Sequence, residues 1–240
     1  MKKFFRLSPP LFPLLALLGF ATGPGARAGD EIRVAIIGDS TVCDFPANQK
    51  MRGWGQILPE FFRERVKVSN FARSGRSTKT FIAEGLWKKT RASKPAFVLI
   101  QFGHNDSHGP GRPESTDAAG DFRDFLRRYI DESRDASATP ILITPMHRRR
   151  FDADGKTTQE LLPYANAMKA VAAEKKAPLI DLHSASGAAF EKLGDAGSAD
   201  LSCCAPDDRT HFSEKGARLM AQLIAEGLKA ADAKLGAALK

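Results

Sequence analysis

Five short apolar runs recur along the chain, at 33–37, 66–71, 96–102, 140–144 and 178–181. They are rich in Val, Ile, Leu and Phe and have the length of strands buried on both faces, the habit of parallel sheets. The segments between them change period. In 121–131, Phe122, Phe125, Leu126, Tyr129 and Ile130 fall on one helical stripe, with Arg123, Asp124, Arg127 and Arg128 outside it. A second helix is predicted over 161–176, with Leu162, Ala165, Met168 and Ala172 inward and Pro163 tolerated in its first turn. A third follows Ser213, a good N-cap, and carries Met220, Leu223, Ile224 and Leu228 on one side. Strand and helix in alternation predict an α/β fold: a three-layer α/β/α sandwich around a five-stranded parallel sheet. Stretches 109–115 and 194–207 read as long loops, which in a compact domain are often functional.

The first residues break this pattern. Lys2, Lys3 and Arg6 precede an apolar stretch over 11–20, and Ala26-Arg27-Ala28 has the form of a cleavage site. Residues 1–28 are expected to be a secretory signal peptide and 29–240 one domain. The apolar core is about half the length a membrane span needs, and Pro13 interrupts it. A secreted or periplasmic protein without a membrane anchor after cleavage is therefore expected. The formal charge is +8, but Lys2, Lys3, Arg6 and Arg27 supply half of it and no acid lies among them. The modest positive field that remains suits a polyanionic partner. Zinc-finger spacing, a recognition helix and a basic aromatic sheet are all missing from the sequence, which argues against nucleic acid.

Candidate chemistry collects just beyond the predicted strand ends. Gly38-Asp39-Ser40-Thr41 follows the first strand, Arg73-Ser74-Gly75-Arg76-Ser77 the second, and Gly103-His104-Asn105-Asp106 the third. Parallel strands share one carboxyl edge, where ligands bind in open α/β sheets. Ser40 taken alone reads better as the cap of a following helix. Acyl transfer, however, needs a nucleophile, a base, a group orienting the base, and donors for an oxyanion. Ser40 offers the hydroxyl. Asp208 and His211, three residues apart within one helical turn, offer carboxylate and imidazole on one side. The backbone N–H groups of Ser40 and Gly75 and the Asn105 amide offer the oxyanion donors.

These same stretches, with Pro145-Met146-His147-Arg148-Arg149-Arg150 and Asp208-Arg209-Thr210-His211-Phe212, resemble the sequence blocks of the SGNH/GDSL hydrolases. The wording is most similar to the rhamnogalacturonan acetylesterase branch, which shares Thr41 where many members carry Leu. The resemblance implies a flavodoxin-like sheet, no metal or other cofactor, and hydrolysis of acetyl esters on a pectic polysaccharide. It places the nucleophile on Ser40, the acid and base on Asp208 and His211, and the oxyanion donors on Ser40, Gly75 and Asn105.

Other residues carry weaker expectations. Arg76 and Arg149 are expected to attract uronate carboxylates, since guanidinium forks suit them, and His104 to touch substrate. Cys43, close to Ser40, is expected to pair with Cys203 or Cys204, close to Asp208, tethering the two segments. The alternatives are an acetylxylan esterase, a broad lipase or thioesterase, a sugar acetyltransferase, and a carbohydrate-binding protein without catalysis. A long apolar lid is missing from the sequence, which disfavours long acyl chains.

Overall fold

The structure, a computed structural model, describes Met1 and residues 31–240. Apart from Met1, the leader expected over 1–28 lies outside the described residues. The five predicted strands are present as β1 (Ile32–Ile37), β2 (Val66–Asn70), β3 (Phe97–Ile100), β4 (Thr139–Ile143) and β5 (Leu179–Ile180). All pair in parallel in the order β2-β1-β3-β4-β5. This is the flavodoxin-like arrangement. The chain steps from β1 outward to β2 and then returns to the other side of β1 as β3. A crevice opens beyond the carboxyl ends of β1 and β3, whose last residues Ile37 and Ile100 are in register.

Alternation along each strand divides the core into two layers. Ile32, Val34 and Ile36 face one side with Leu99 and Ile141, while Ile37, Val98, Ile100 and Leu142 face the other. The first face is covered by α1 (Trp54–Ile57), α6 (Leu182–Gly197), α7 (Glu214–Ala231) and α8 (Ala233–Gly236). The second is covered by α2 (Thr78–Ala83), α3 (Leu86–Ala92), α4 (Asp121–Asp135) and α5 (Leu162–Lys175). Ile36 and Ile37 have no exposed surface, and each such side chain contributes roughly 1.5–3 kcal/mol by its burial. A charge at either position would break one layer.

The three predicted helices are present as α4, α5 and α7, but in α5 Leu162 is only half-buried, and Tyr164, Ala167 and Val171 join Ala165, Met168 and Ala172 on the inside. Ser213 caps α7 by accepting the Gly216 N–H at 3.2 Å. The sequence pattern does not reveal α1, α2 and α3, which are only four to seven residues long, too short to express a helical period. Stretch 194–207 is corrected. Its first residues finish α6, where Gly194 turns the chain at φ 70°, and Ala199–Leu201 forms a 3-10 turn. Only the segment that approaches Asp208 is irregular.

Candidate active site

β1 ends at a glycine for a steric reason. A Cβ on Gly38 would lie 2.5 Å from Val42 Cγ2 and 2.7 Å from the Gln101 carbonyl oxygen. The chain then makes one tight turn. The Asp39 carbonyl accepts the Val42 and Cys43 N–H groups at 3.2 and 3.0 Å. The Asp39 carboxylate accepts the Thr41 N–H at 2.9 Å and the Thr41 hydroxyl at 2.7 Å. Thr41 also meets Gln101, whose Oε1 accepts Trp54 Nε1–H at 2.7 Å, so the turn is anchored in the core. No helix follows directly: α1 starts at Trp54, behind Gly53. The helix-cap alternative for Ser40 is therefore corrected. Its backbone N–H has no partner among the described residues, and its hydroxyl faces the rim.

His211 Nε2 lies 2.9 Å from Ser40 Oγ, and His211 Nδ1 lies 2.8 Å from Asp208 Oδ2. The structure thus brings together the three residues read from the sequence, although not on a helical turn. Asp208 shapes a bend instead: its Oδ1 accepts the backbone N–H of both Thr210 and His211 at 2.9 Å. Burial raises the Asp208 carboxyl, but those two N–H groups and the His211 ring outweigh it and hold the group below the usual range. An ionised Asp208 keeps a proton on Nδ1 and leaves Nε2 free to accept one from Ser40.

The other donors read from the sequence for an oxyanion lie in the segments that follow β2 and β3. The Arg73 N–H donates to the Gly38 carbonyl at 3.0 Å, continuing the β1–β2 pairing past the strand ends and carrying Gly75 beside the Ser40 turn. Gly75 has φ +78°, the left-handed region that favours glycine, and its N–H is unpartnered among the described residues. Asn105 Nδ2 donates to the Arg76 carbonyl at 3.0 Å, which ties the β3 loop to the Gly75 arm. An amide nitrogen has two protons, so one remains for substrate. Beneath it, Asp106 accepts Thr78 N–H and Gly103 N–H at 3.1 Å and the Thr116 hydroxyl at the same distance. Burial pushes the Asp106 carboxyl up to about 7 against these hydrogen bonds.

Three weaker expectations are corrected. Arg149 is 2% exposed, and its guanidinium donates to Ser202, Ser198 and the Asp195 carboxylate, where Arg209 also pairs. It clamps the end of α6 to the Asp208 segment, with its guanidinium committed to these partners. Arg76, by contrast, is half-buried at the surface, pairs with Glu84 at 2.9 Å and lines the cavity that Arg73 also lines. His104 is buried with its Nδ1 3.6 Å from Asp39 Oδ2, so it lies under the site rather than in it. This pair helps hold Asp39 low: burial raises that carboxyl, and His104 and Thr41 lower it further. Finally, all three cysteines are free. Cys43 is buried with its thiol 3.9 Å from the Ser40 carbonyl, while Cys203 and Cys204 contact each other at 3.2 Å. Among the described residues one group of metal-ligating side chains converges: both of these thiols and Asp208, within 4.8 Å of one another.

Arg73 carries no functional expectation from the sequence, and Arg148 enters there only as a member of the basic run 148–150, one of whose arginines is expected to meet a uronate. Arg73 is exposed, without a carboxylate partner among the described residues, and lines a cavity of about 600 Å³ with Ser74 and Arg76, the neighbours of Gly75. Arg148 donates to the His104 carbonyl at 3.1 Å and pairs with Glu160, propping the Asn105 loop. For Arg73, its place directly after β2 was the available signal.

Residues 36–219 match the GDSL-like Lipase/Acylhydrolase family. The chain is 39% identical over 223 residues to the rhamnogalacturonan acetylesterase RhgT of Bacillus subtilis, covering 87% of this chain and 93% of that one. It is 36% identical over 201 residues to YesY of the same organism, a "Probable rhamnogalacturonan acetylesterase", covering 82% and 92%. The crystal structure of Axe2, an acetylxylan esterase from Geobacillus stearothermophilus, superposes with a TM-score of 0.67 at 20% identity, over 83% of this chain and 95% of that one, a likeness of fold. The chain belongs to the GDSL-like lipase/acylhydrolase family, the SGNH hydrolases, and is an esterase.

Proposed function

We propose that this esterase is exported through its leader and removes acetyl groups from an acidic, acetylated plant polysaccharide of the rhamnogalacturonan type. The observation that carries the reading is the continuous chain of contacts from Asp208 Oδ2 through His211 to Ser40 Oγ, 2.8 and 2.9 Å long. In the proposed mechanism Ser40 Oγ attacks the acetyl carbonyl carbon as its proton passes to His211 Nε2. The carbonyl oxygen becomes an oxyanion held by Ser40 N–H, Gly75 N–H and the Asn105 amide. The tetrahedral adduct collapses, and His211 gives its proton to the departing sugar oxygen. Water then repeats the sequence on acetyl-Ser40, with His211 as base, and acetate leaves.

The names of the two Bacillus subtilis relatives support the sugar class, and the unpaired Arg73 beside the oxyanion arm suits a uronate. The test is acetate release from acetylated rhamnogalacturonan, homogalacturonan and xylan by the purified enzyme and by Ser40→Ala. Rhamnogalacturonan is expected to be deacetylated fastest, and Ser40→Ala to be inert. Preference for xylan would overturn the substrate, and an active Ser40→Ala the mechanism.

A further inference from the structure

We propose that Cys203, Cys204 and Asp208 form an inhibitory site for a thiophilic divalent cation of the Zn²⁺ or Cd²⁺ kind. The two Sγ atoms are 3.2 Å apart, and Cys203 Sγ is 3.8 Å from Asp208 Oδ2. The local backbone fixes this convergence: Cys203 N–H donates to the His211 carbonyl and Asp208 N–H to the Cys204 carbonyl, each at 3.2 Å. Cys204 is exposed, which gives an ion a route from solvent, and Cys203 is half-buried behind it. Tetrahedral zinc holds sulfur at about 2.3 Å, which sets two sulfurs about 3.8 Å apart, and a carboxylate oxygen at a similar spacing. The thiols need only rotate apart slightly, and a fourth position stays open to water. Soft thiolates select such ions over Mg²⁺ or Ca²⁺. Binding converts two thiols and one free dication into a bis-thiolate complex and two released protons.

The site matters because Asp208 Oδ2 is also the atom that faces His211 Nδ1 at 2.8 Å. A cation on that oxygen takes the electron pair that His211 uses and sets positive charge beside a ring that must accept a proton from Ser40. Inhibition should therefore fall on kcat and spare KM. This consequence rests on the proposed roles of Ser40, His211 and Asp208, whereas binding itself does not.

The experiment titrates the reduced, desalted full chain with Cd²⁺, following thiolate-to-metal charge-transfer absorption and p-nitrophenyl acetate hydrolysis together. The expected result is one ion per chain, a fall in kcat of about tenfold or more, little change in KM, and recovery with EDTA. Cys203→Ser/Cys204→Ser should keep its basal activity, lack the absorption and resist Cd²⁺; the exposed single change Cys204→Ser should weaken binding if the double variant misfolds. Inhibition undiminished in both variants, absorption without inhibition, or a Cys203–Cys204 disulfide that persists after reduction would each overturn the proposal. Ser40→Ala separates the two readings: it should retain the Cd²⁺ absorption, and residual hydrolysis by it would instead count against the catalytic roles.

Discussion

His211 meets Ser40 across 171 residues of sequence, with Nε2 2.9 Å from Oγ. The closure is made next door, where Phe212 bridges to both Arg52 and Ser202 and is itself buried. If these side chains act as one unit, their losses do not add. Ser40→Ala and His211→Ala should each lower kcat for p-nitrophenyl acetate by on the order of 10⁴-fold or more, and the double variant should be no worse than either. Rates falling multiplicatively in the double variant would show that the two act separately.

The Asn105 amide serves two masters, the Arg76 carbonyl at 3.0 Å and the space beside Ser40. Asn105→Ala removes the proposed oxyanion donor and loosens the Gly75 arm together. The expected loss in kcat is about 10²–10³-fold with KM nearly unchanged, and circular dichroism should show a folded chain. A rise in KM at constant kcat would make Asn105 a substrate-binding residue instead.

The parts of this site that were legible in the sequence are those set by strand ends. Ser40, Gly75 and Asn105 follow β1, β2 and β3 directly, so an apolar run followed by small polar residues locates each of them. Asp208 and His211 were legible by spacing, although the bend that unites them is built from Asp208 Oδ1 and two N–H groups and carries no helical period. What the sequence hid is partnership. Arg148, Arg149 and Arg150 read as one basic run, yet Arg149 finds Asp195, 46 positions away, and Arg150 pairs at the surface with Glu160. Long-range pairing of this kind leaves no local pattern. The cysteines show the same limit: closeness of two segments did not fix which way Cys43 points.

Arg149 and Arg73 should accordingly differ in what they change. Arg149→Met leaves Asp195, Ser198 and Ser202 without their shared donor and should destabilise the fold by about 2–4 kcal/mol, with KM for acidic oligosaccharides little altered. Arg73→Ala should do the reverse: an unchanged melting temperature, a KM several-fold higher for uronate-bearing acetylated oligosaccharides, and no effect on p-nitrophenyl acetate. Equal effects of Arg73→Ala on both substrates would exclude a carboxylate contact.

The last prediction concerns acid stability. The rings of His147 and His183 stack at 3.8 Å with an interplanar angle of 22°. Each Nδ1 faces a carbonyl, of Thr158 and Pro145 respectively, at 3.0 Å. Burial, and then the charge of His147, depress His183 from 6.5 to about 4, and burial lowers His147 as well. Above pH 6.5 both folded and unfolded rings are neutral and the pair has no pH dependence. Between 6.5 and about 4 the unfolded chain binds a proton at His183 that the folded chain refuses, so stability falls with pH. The loss for His183 is on the order of 2–3 kcal/mol, or roughly 5–10 °C in Tm for a chain of this size. Asp106, raised to about 7, works in the opposite sense over the same range, because its folded form takes up a proton first. The stack is therefore isolated by difference. His183→Phe keeps a ring in place and removes its titration, so the Tm of wild type minus that of the variant should fall steadily from pH 6.5 to 4.5. A constant difference across that window would mean that the buried His183 ring is protonated as readily in the folded chain as in the unfolded one.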